Sequence, residues 1–238
     1  MLHPDLRKVL DQGRFIRTAH RGFPPAAKGN SGRAITAALD FVVDLVEVDV
    51  HATSDGHLIL WHDDDCIDRQ GRRWILAQST LAEIQSIDIG DGQGILTLAQ
   101  GMELVRGRAG LMIDLKAPGL GSRIVEQVRT HRFEPAVVCG GYKDTLEEIR
   151  HLAPEIGTSL TLTHGWQQEY GLASVSEIDC DMVTVDGRLM NPEFLRQLQS
   201  RGLVVVVWTI DRLEDMRTLR SWGVDGLTSN RADLFDQL

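Results

Sequence analysis

Residues 191–228, NPEFLRQLQSRGLVVVVWTIDRLEDMRTLRSWGVDGLT, hold the repeating unit that decides the fold. Apolar residues at three-and-four spacing over 191–200 predict a helix, and Gly202 stands where it should end. The apolar run 203–209 has strand length and closes on Trp208. A second helix pattern follows at 212–221, with Gly223 at its end and another strand pattern at 224–228. Two buried strands joined through a helix run parallel in one sheet.

The same alternation extends back through the chain. Strand patterns occur at 15–19, 45–51, 110–115, 136–139, 156–162 and 182–186, which with the two above makes eight. Helix patterns occur between them at 31–43, 122–131 and 143–152. Eight such units close most simply into an α/β fold of the (β/α)8 TIM-barrel type. A doubly wound open sheet would need a glycine-rich phosphate turn after its first strand, and His20-Arg21-Gly22-Phe23 is not one.

A length of 238 residues, 42% of them hydrophobic, suits one barrel domain spanning 1–238. The irregular stretch after the second strand, about 52–97, reads as an insertion. Within it, 57–61 resembles a short extra strand turned back through Asp55-Gly56, and Thr80-Leu81-Ala82-Glu83 has capping-box spacing. Asp63-Asp64-Asp65 and 88–94 read as loop. The formal charge of -9 argues against nucleic acid or an anionic membrane as the main partner. No segment has the length and apolarity of a bilayer span or a signal-peptide core, so no integral membrane contact is expected. Three widely spaced cysteines, Cys66, Cys139 and Cys180, suggest neither a disulfide framework nor a thiolate metal site, and a cytoplasmic protein is expected.

Polar residues gather where the strand patterns stop. Glu47 and Asp49 sit two apart in the otherwise apolar run Leu45-Val46-Glu47-Val48-Asp49-Val50, so they share a face about 6.5 Å apart along the strand. Oxygen ligands of this kind suit one divalent cation, magnesium or calcium. Asp114 and Lys116 repeat the spacing after Leu111-Met112-Ile113, giving a third candidate ligand, although an Asp–Lys pair can also be purely structural. His20 and His62 each follow a strand pattern, and two histidines can supply one base and one acid for proton transfer. Arg21 and Lys116 are candidate phosphate-binding cations, Arg21 with salt-bridging to a nearby acid as a second use. Trp208, ending the seventh strand pattern, is a candidate substrate contact or a lid over the core. His51 shares the face of the acids and can at most orient a ligand, and the other tryptophans, Trp61, Trp74, Trp166 and Trp222, read as packing or loop anchors, Trp61 beside His62.

Taken in order, His20-Arg21-Gly22, Asn30-Ser31, Val46-Glu47-Val48-Asp49-Val50, Thr53 with Asp55-Gly56, His62-Asp63, Ile113-Asp114-Leu115-Lys116, Val207-Trp208-Thr209 and Gly223-Val224-Asp225-Gly226 resemble the glycerophosphodiester phosphodiesterase family over roughly residues 16–233. The resemblance implies a barrel enzyme that hydrolyses a small-molecule phosphodiester to glycerol 3-phosphate and an alcohol with a divalent cation. It places His20 and His62 as acid and base, Glu47, Asp49 and Asp114 as metal ligands, Arg21 and Lys116 on the phosphate, and Trp208 at the pocket rim. The chain departs from the family pattern at Gly29 where a Glu is common, at Asp114 where Glu is usual, at Ser229-Asn230 in place of Thr-Asp, and at Ala232 where a proline is common. A lysophospholipase D or sphingomyelinase D-like enzyme is the alternative activity, and the acidic loops at 63–65 and 88–91 favour a small soluble head group over it. An inactive phosphoester-binding protein is the non-enzymatic alternative, opposed by the presence of both His20 and His62.

Overall fold

The computed structural model describes residues 2–90, 92–165 and 167–238. Asp91, in the acidic loop, and Trp166, read as an anchor, lie outside the described residues. The chain opens with α1 (Pro4–Asp11), β1 (Ile16–His20), α2 (Gly32–Ala38) and β2 (Leu45–Ala52). An excursion then carries β3 (Leu58–Leu60), β4 (Asp65–Ile67), β5 (Arg73–Ile75), α3 (Leu81–Gln85) and α4 (Leu98–Val105). From there strands and helices alternate: β6 (Gly110–Leu115), α5 (Gly121–His131), β7 (Ala136–Gly140), α6 (Lys143–Leu152) and β8 (Gly157–Leu162). The series ends with α7 (Gln168–Ser176), β9 (Met182–Asp186), α8 (Pro192–Gln199), β10 (Val204–Trp208), α9 (Leu213–Trp222) and β11 (Gly226–Ser229).

Strands β1, β2, β6, β7, β8, β9, β10 and β11 pair in that order, all parallel, and β11 pairs back onto β1. This is the closed (β/α)8 barrel, with β3 added antiparallel to the upper end of β2. The 191–228 stretch shows why the units form. The Asn191 side chain accepts from the backbone N–H groups of Glu193 and Phe194 at 3.0 and 2.9 Å, and Pro192 opens α8, where its missing N–H costs nothing. Gly223 ends α9 at φ 91°, a conformation that side chains resist.

Successive strand residues point to opposite faces, and both faces are buried. Outward residues such as Val46, Val48, Ile113, Val205 and Val207 pack in the main core with the surrounding helices. Inward residues Ile16, Leu45, Met112, Val137, Met182, Val204 and Val206 form a lower plug, closed beneath by Leu6 and Val9 of α1. Each such side chain contributes roughly 1.5–3 kcal/mol when removed from water. One step higher the inward positions turn polar, and that change builds the site.

The insertion has its own small core of Ile59, Trp61, Cys66, Leu76, Ile84, Ile87 and Ile95. The Thr80–Glu83 capping box is present, and the Asp55-Gly56 turn returns the chain as expected. Four features differ from the sequence reading. The helix expected over 31–43 stops at Ala38, Asp65 begins a hairpin strand where loop was expected, and α4 completes the barrel beside α2 and β6. Helices α1 and α7 also went unread; α7 carries Gly171 and Ser174 on its buried side, which gives it almost no apolar stripe.

Candidate active site

A cavity of about 390 Å³ opens at the C-terminal ends of the strands. Its wall contains His20, Arg21, Glu47, Asp49, His62, Asp114, Lys116 and Trp208, so all eight residues selected from the sequence meet in one place. A wider groove of about 550 Å³ lies against α9 and shares only Trp208 with it. The groove lacks the histidines and the carboxylate cluster, so the chemistry belongs to the smaller cavity.

Strand register explains the gathering. His20 of β1 is opposite Glu47 of β2, and Asp49 is opposite Asp114 of β6. Glu47, Asp49 and Asp114 each offer an oxygen, all within 4.8 Å of one another. Burial and the charges of Asp49 and Asp114 raise Glu47 well above the usual carboxylate range. Asp114 is raised as well, chiefly by burial, against the pull of Lys116. Burial would raise Asp49 too, but Lys116 and Arg21 overcome it and hold that carboxyl low.

The two cations are turned onto these acids. Lys116 Nζ lies 2.8 Å from Asp49 Oδ1 and 2.5 Å from Asp114 Oδ2. Arg21 Nε lies 3.0 Å from Asp49 Oδ2, close enough for charge attraction but not aligned as a hydrogen bond. Arg21 adopts φ 55° and Gly22 φ 83°, a sharp turn that points the Arg21 backbone N–H at Glu47 Oε2, 2.9 Å away. A Cβ at Gly22 would fall 2.5 Å from the Ala34 backbone, so this turn requires glycine.

Asn30 is the partner that sequence reasoning passed over. Its Nδ2 donates to Asp49 Oδ2 at 2.7 Å and its Oδ1 accepts from the Asp49 backbone N–H at 3.1 Å, holding Asp49 by both side chain and backbone. Its place in the Asn30-Ser31 motif, just before the helix cap, was the signal that hinted at this. An all-oxygen, largely buried, acid-rich donor set fits a hard divalent cation.

His20 and His62 have different surroundings. Burial, and next Arg21, lower His20 to about 4, so it is a neutral imidazole near pH 7. Its Nδ1 is 2.8 Å from Asn230 Oδ1 and its Nε2 is 3.9 Å from Glu47 Oε2. His62 is 44% exposed, with Nδ1 2.7 Å from Asp63 Oδ1. His51 stays outside the cavity wall, its Nε2 3.3 Å from the His62 carbonyl, and burial lowers its pKa. Trp61 donates to the Asp65 carbonyl at 2.9 Å and carries Lys28 over its ring, anchoring the segment that bears His62.

Across the cavity the wall is uncharged. Thr161 and Thr184 share a hydroxyl contact of 2.8 Å, while Thr228 Oγ1 and Trp208 Nε1 are buried without a hydrogen-bond partner. Gly140, Gly141, Tyr142 and Thr163 complete that side.

Carboxylates, paired cations and two histidines at a barrel mouth are the equipment of a phosphodiesterase-type hydrolase. Residues 20–234 match the glycerophosphoryl diester phosphodiesterase family, and the chain belongs to it. It is 26% identical over 228 residues to a glycerophosphodiester phosphodiesterase of Caldanaerobacter subterraneus subsp. tengcongensis, covering 89% of this chain and 92% of that protein. A glycerophosphodiester phosphodiesterase of Bacillus subtilis is 25% identical over 260 residues, covering 97% and 88%. Among solved structures, an Oleispira antarctica phosphodiesterase in complex with the product sn-glycerol-3-phosphate superposes with a TM-score of 0.82 at 22% identity, covering 93% of this chain and 95% of that one. Among the described residues, no helix is long and apolar enough to cross a membrane.

Proposed function

We propose that the protein hydrolyses glycerophosphodiesters to glycerol 3-phosphate and an alcohol, using one divalent cation. The observation that carries this reading is the carboxylate cluster of Glu47, Asp49 and Asp114 in the same cavity as His20 and His62. The product held by the Oleispira antarctica relative supports the choice of substrate. Glu47, Asp49 and Asp114 hold the cation, magnesium or calcium, which when bound supplies positive charge for the phosphoryl oxygens. Arg21 and Lys116 border the same space and add charge as the transition state becomes more negative.

The two histidines divide the proton transfers. His20 faces an amide oxygen, a neutral partner, and its Nε2 takes the proton of the attacking hydroxyl as the new P–O bond forms. His62, whose Nδ1 lies 2.7 Å from Asp63 Oδ1, gives its proton to the departing alkoxide as the old P–O bond breaks. The three cysteines, all free and buried, fit a reducing compartment such as the cytoplasm.

Metal-stripped protein incubated with a panel of glycerophosphodiesters and lysolipids, with magnesium, calcium or manganese added in turn, tests the reading by phosphorus NMR. Metal-dependent appearance of glycerol 3-phosphate is expected. Release of a lysolipid head group with no turnover of the soluble diesters would replace it with the lipid-directed activity.

A further inference from the structure

The exposed Asp211, just beyond β10, reaches the half-buried His20 through one intermediary. Its Oδ1 accepts from the Asn230 backbone N–H at 2.8 Å and from the Ser229 hydroxyl at 3.0 Å. Its Oδ2 accepts from Asn230 Nδ2 at 2.8 Å. An ionised carboxylate has no proton to give, so the amide must turn its NH2 outward toward Asp211 and its carbonyl inward. That carbonyl oxygen sits 2.8 Å from His20 Nδ1. It too can only accept, so Nδ1 of His20 carries a proton, and a neutral ring held this way keeps its lone pair on Nε2.

We propose that Asp211 and Asn230 are positioning residues that fix His20 as the Nδ1–H tautomer and so present the Nε2 lone pair toward the reacting atoms. The strand end itself carries the uncharged Asn230, and the carboxylate behind it comes from Asp211, across 19 positions of the chain. Asn230 works as a polarity reader. Whichever end of its amide Asp211 attracts, the other end determines which imidazole nitrogen keeps the proton. The functional consequence rests on the reading of His20 as a proton acceptor, whereas the tautomer can be measured without it.

Two exchanges of amide and carboxylate test the arrangement. In Asp211→Asn the new side chain can keep its carbonyl on the Asn230 and Ser229 donors, but its NH2 then faces the Asn230 NH2. Asn230 turns over, presents a donor to His20 Nδ1, and the ring proton moves to Nε2. In Asp211→Asn/Asn230→Asp the hydrogen-bond sense is restored: the new amide donates to residue 230, whose carboxylate accepts from His20 Nδ1–H. Nitrogen-15 NMR of the magnesium-loaded protein, with His20 assigned by its loss in His20→Gln, reads the tautomer directly. The expected result is Nδ1–H in the wild type, Nε2–H in the single variant and Nδ1–H again in the double.

Turnover should follow the tautomer, falling on the order of 10²-fold in Asp211→Asn with KM little changed and recovering most of the loss in the double variant. An unchanged Nδ1–H tautomer in Asp211→Asn, or a double variant that regains neither tautomer nor turnover, would overturn the proposal. Full turnover in His20→Ala is a separate result: it removes His20 from the proton transfer and overturns the proposed acid–base roles, while the NMR comparison still decides who sets the tautomer.

Discussion

The two halves of the cavity wall are built on the same barrel but by opposite chemistry. On the side of β1, β2 and β6, inward positions are Glu47, Asp49, Asp114 and Lys116, flanked by His20 and Arg21, and nearly every charged atom has a charged or amide partner. On the side of β8, β9 and β11, inward positions at the same height are Thr161, Thr184 and Thr228, and Thr228 Oγ1 has no partner at all. Burying several like charges is costly unless each is compensated. The charged half must therefore be tightly cross-braced in the protein itself, and Asn30, Arg21 and Lys116 do that. A neutral hydroxyl costs far less to bury, so the other half can leave donors free to meet a neutral part of the substrate.

The comparison breaks most sharply at the histidines of the charged half. His20→Ala and His62→Ala should each lower turnover on the order of 10²–10⁴-fold, the range for a lost general acid or base. With a nitrophenyl leaving group, which departs without a proton, the His62 variant should recover and the His20 variant should not. Recovery of the His20 variant alone would exchange the two roles. Next in size is Asp49→Asn, which keeps the shape while removing the charge between Arg21 and Lys116. Calorimetric titration should show magnesium affinity weakened at least about 100-fold, beyond the effect usual for residues that only support a ligand. Equal affinity would mean that Asp49 merely braces the two cations.

Asp114 sharpens the comparison because it sits at the border of the halves, braced by Lys116 and touched by Cys139 Sγ at 3.5 Å. Asp114→Asn should likewise weaken metal binding at least about 100-fold, beyond the range usual for residues that only support a ligand. Asp114→Glu should keep activity and shift the ratio of magnesium- to calcium-supported turnover, since calcium accepts longer and looser coordination. An unchanged metal dependence in Asp114→Asn would leave it as a partner for Lys116 only.

These residues were legible in the sequence because strand alternation turns a spacing of two into a shared face. Glu47 with Asp49 and Asp114 with Lys116 needed nothing more. Strands β6 and β9 were readable to the residue, since burial on both faces leaves a run that is apolar at most positions. Helix α1 shows the opposite case: Leu6 and Val9 are its only buried residues, and what they cover is the barrel floor, assembled from strands far away in the chain. Asn30 and Asp211 were hidden for a related reason. An amide that braces Asp49 across 19 positions, or a carboxylate that reaches His20 through Asn230, depends on loops that meet only after closure. Such contacts carry no periodic signature.

The smallest expected effect tests the neutral half. Thr228 is fully enclosed between β1 and β10, faces the cavity and has an unpartnered hydroxyl, so Thr228→Val removes one polar atom while keeping the branched shape. If the hydroxyl does nothing but sit in the wall, deleting it relieves a desolvation cost and should stabilise the fold by up to about 1 kcal/mol. If it meets the substrate, the same change removes one hydrogen bond, about 0.5–1.5 kcal/mol, and KM should rise roughly 2- to 12-fold. Both effects are expected together: a protein at least as stable to urea as the wild type, with unaltered magnesium affinity and a raised KM. A stable variant with unchanged KM would show that the neutral half is wall and not contact, and the division of labour would shrink to charge compensation alone. A raised KM with weakened magnesium binding would instead tie Thr228 to the charged half, whose strand β1 it pairs with through Thr18.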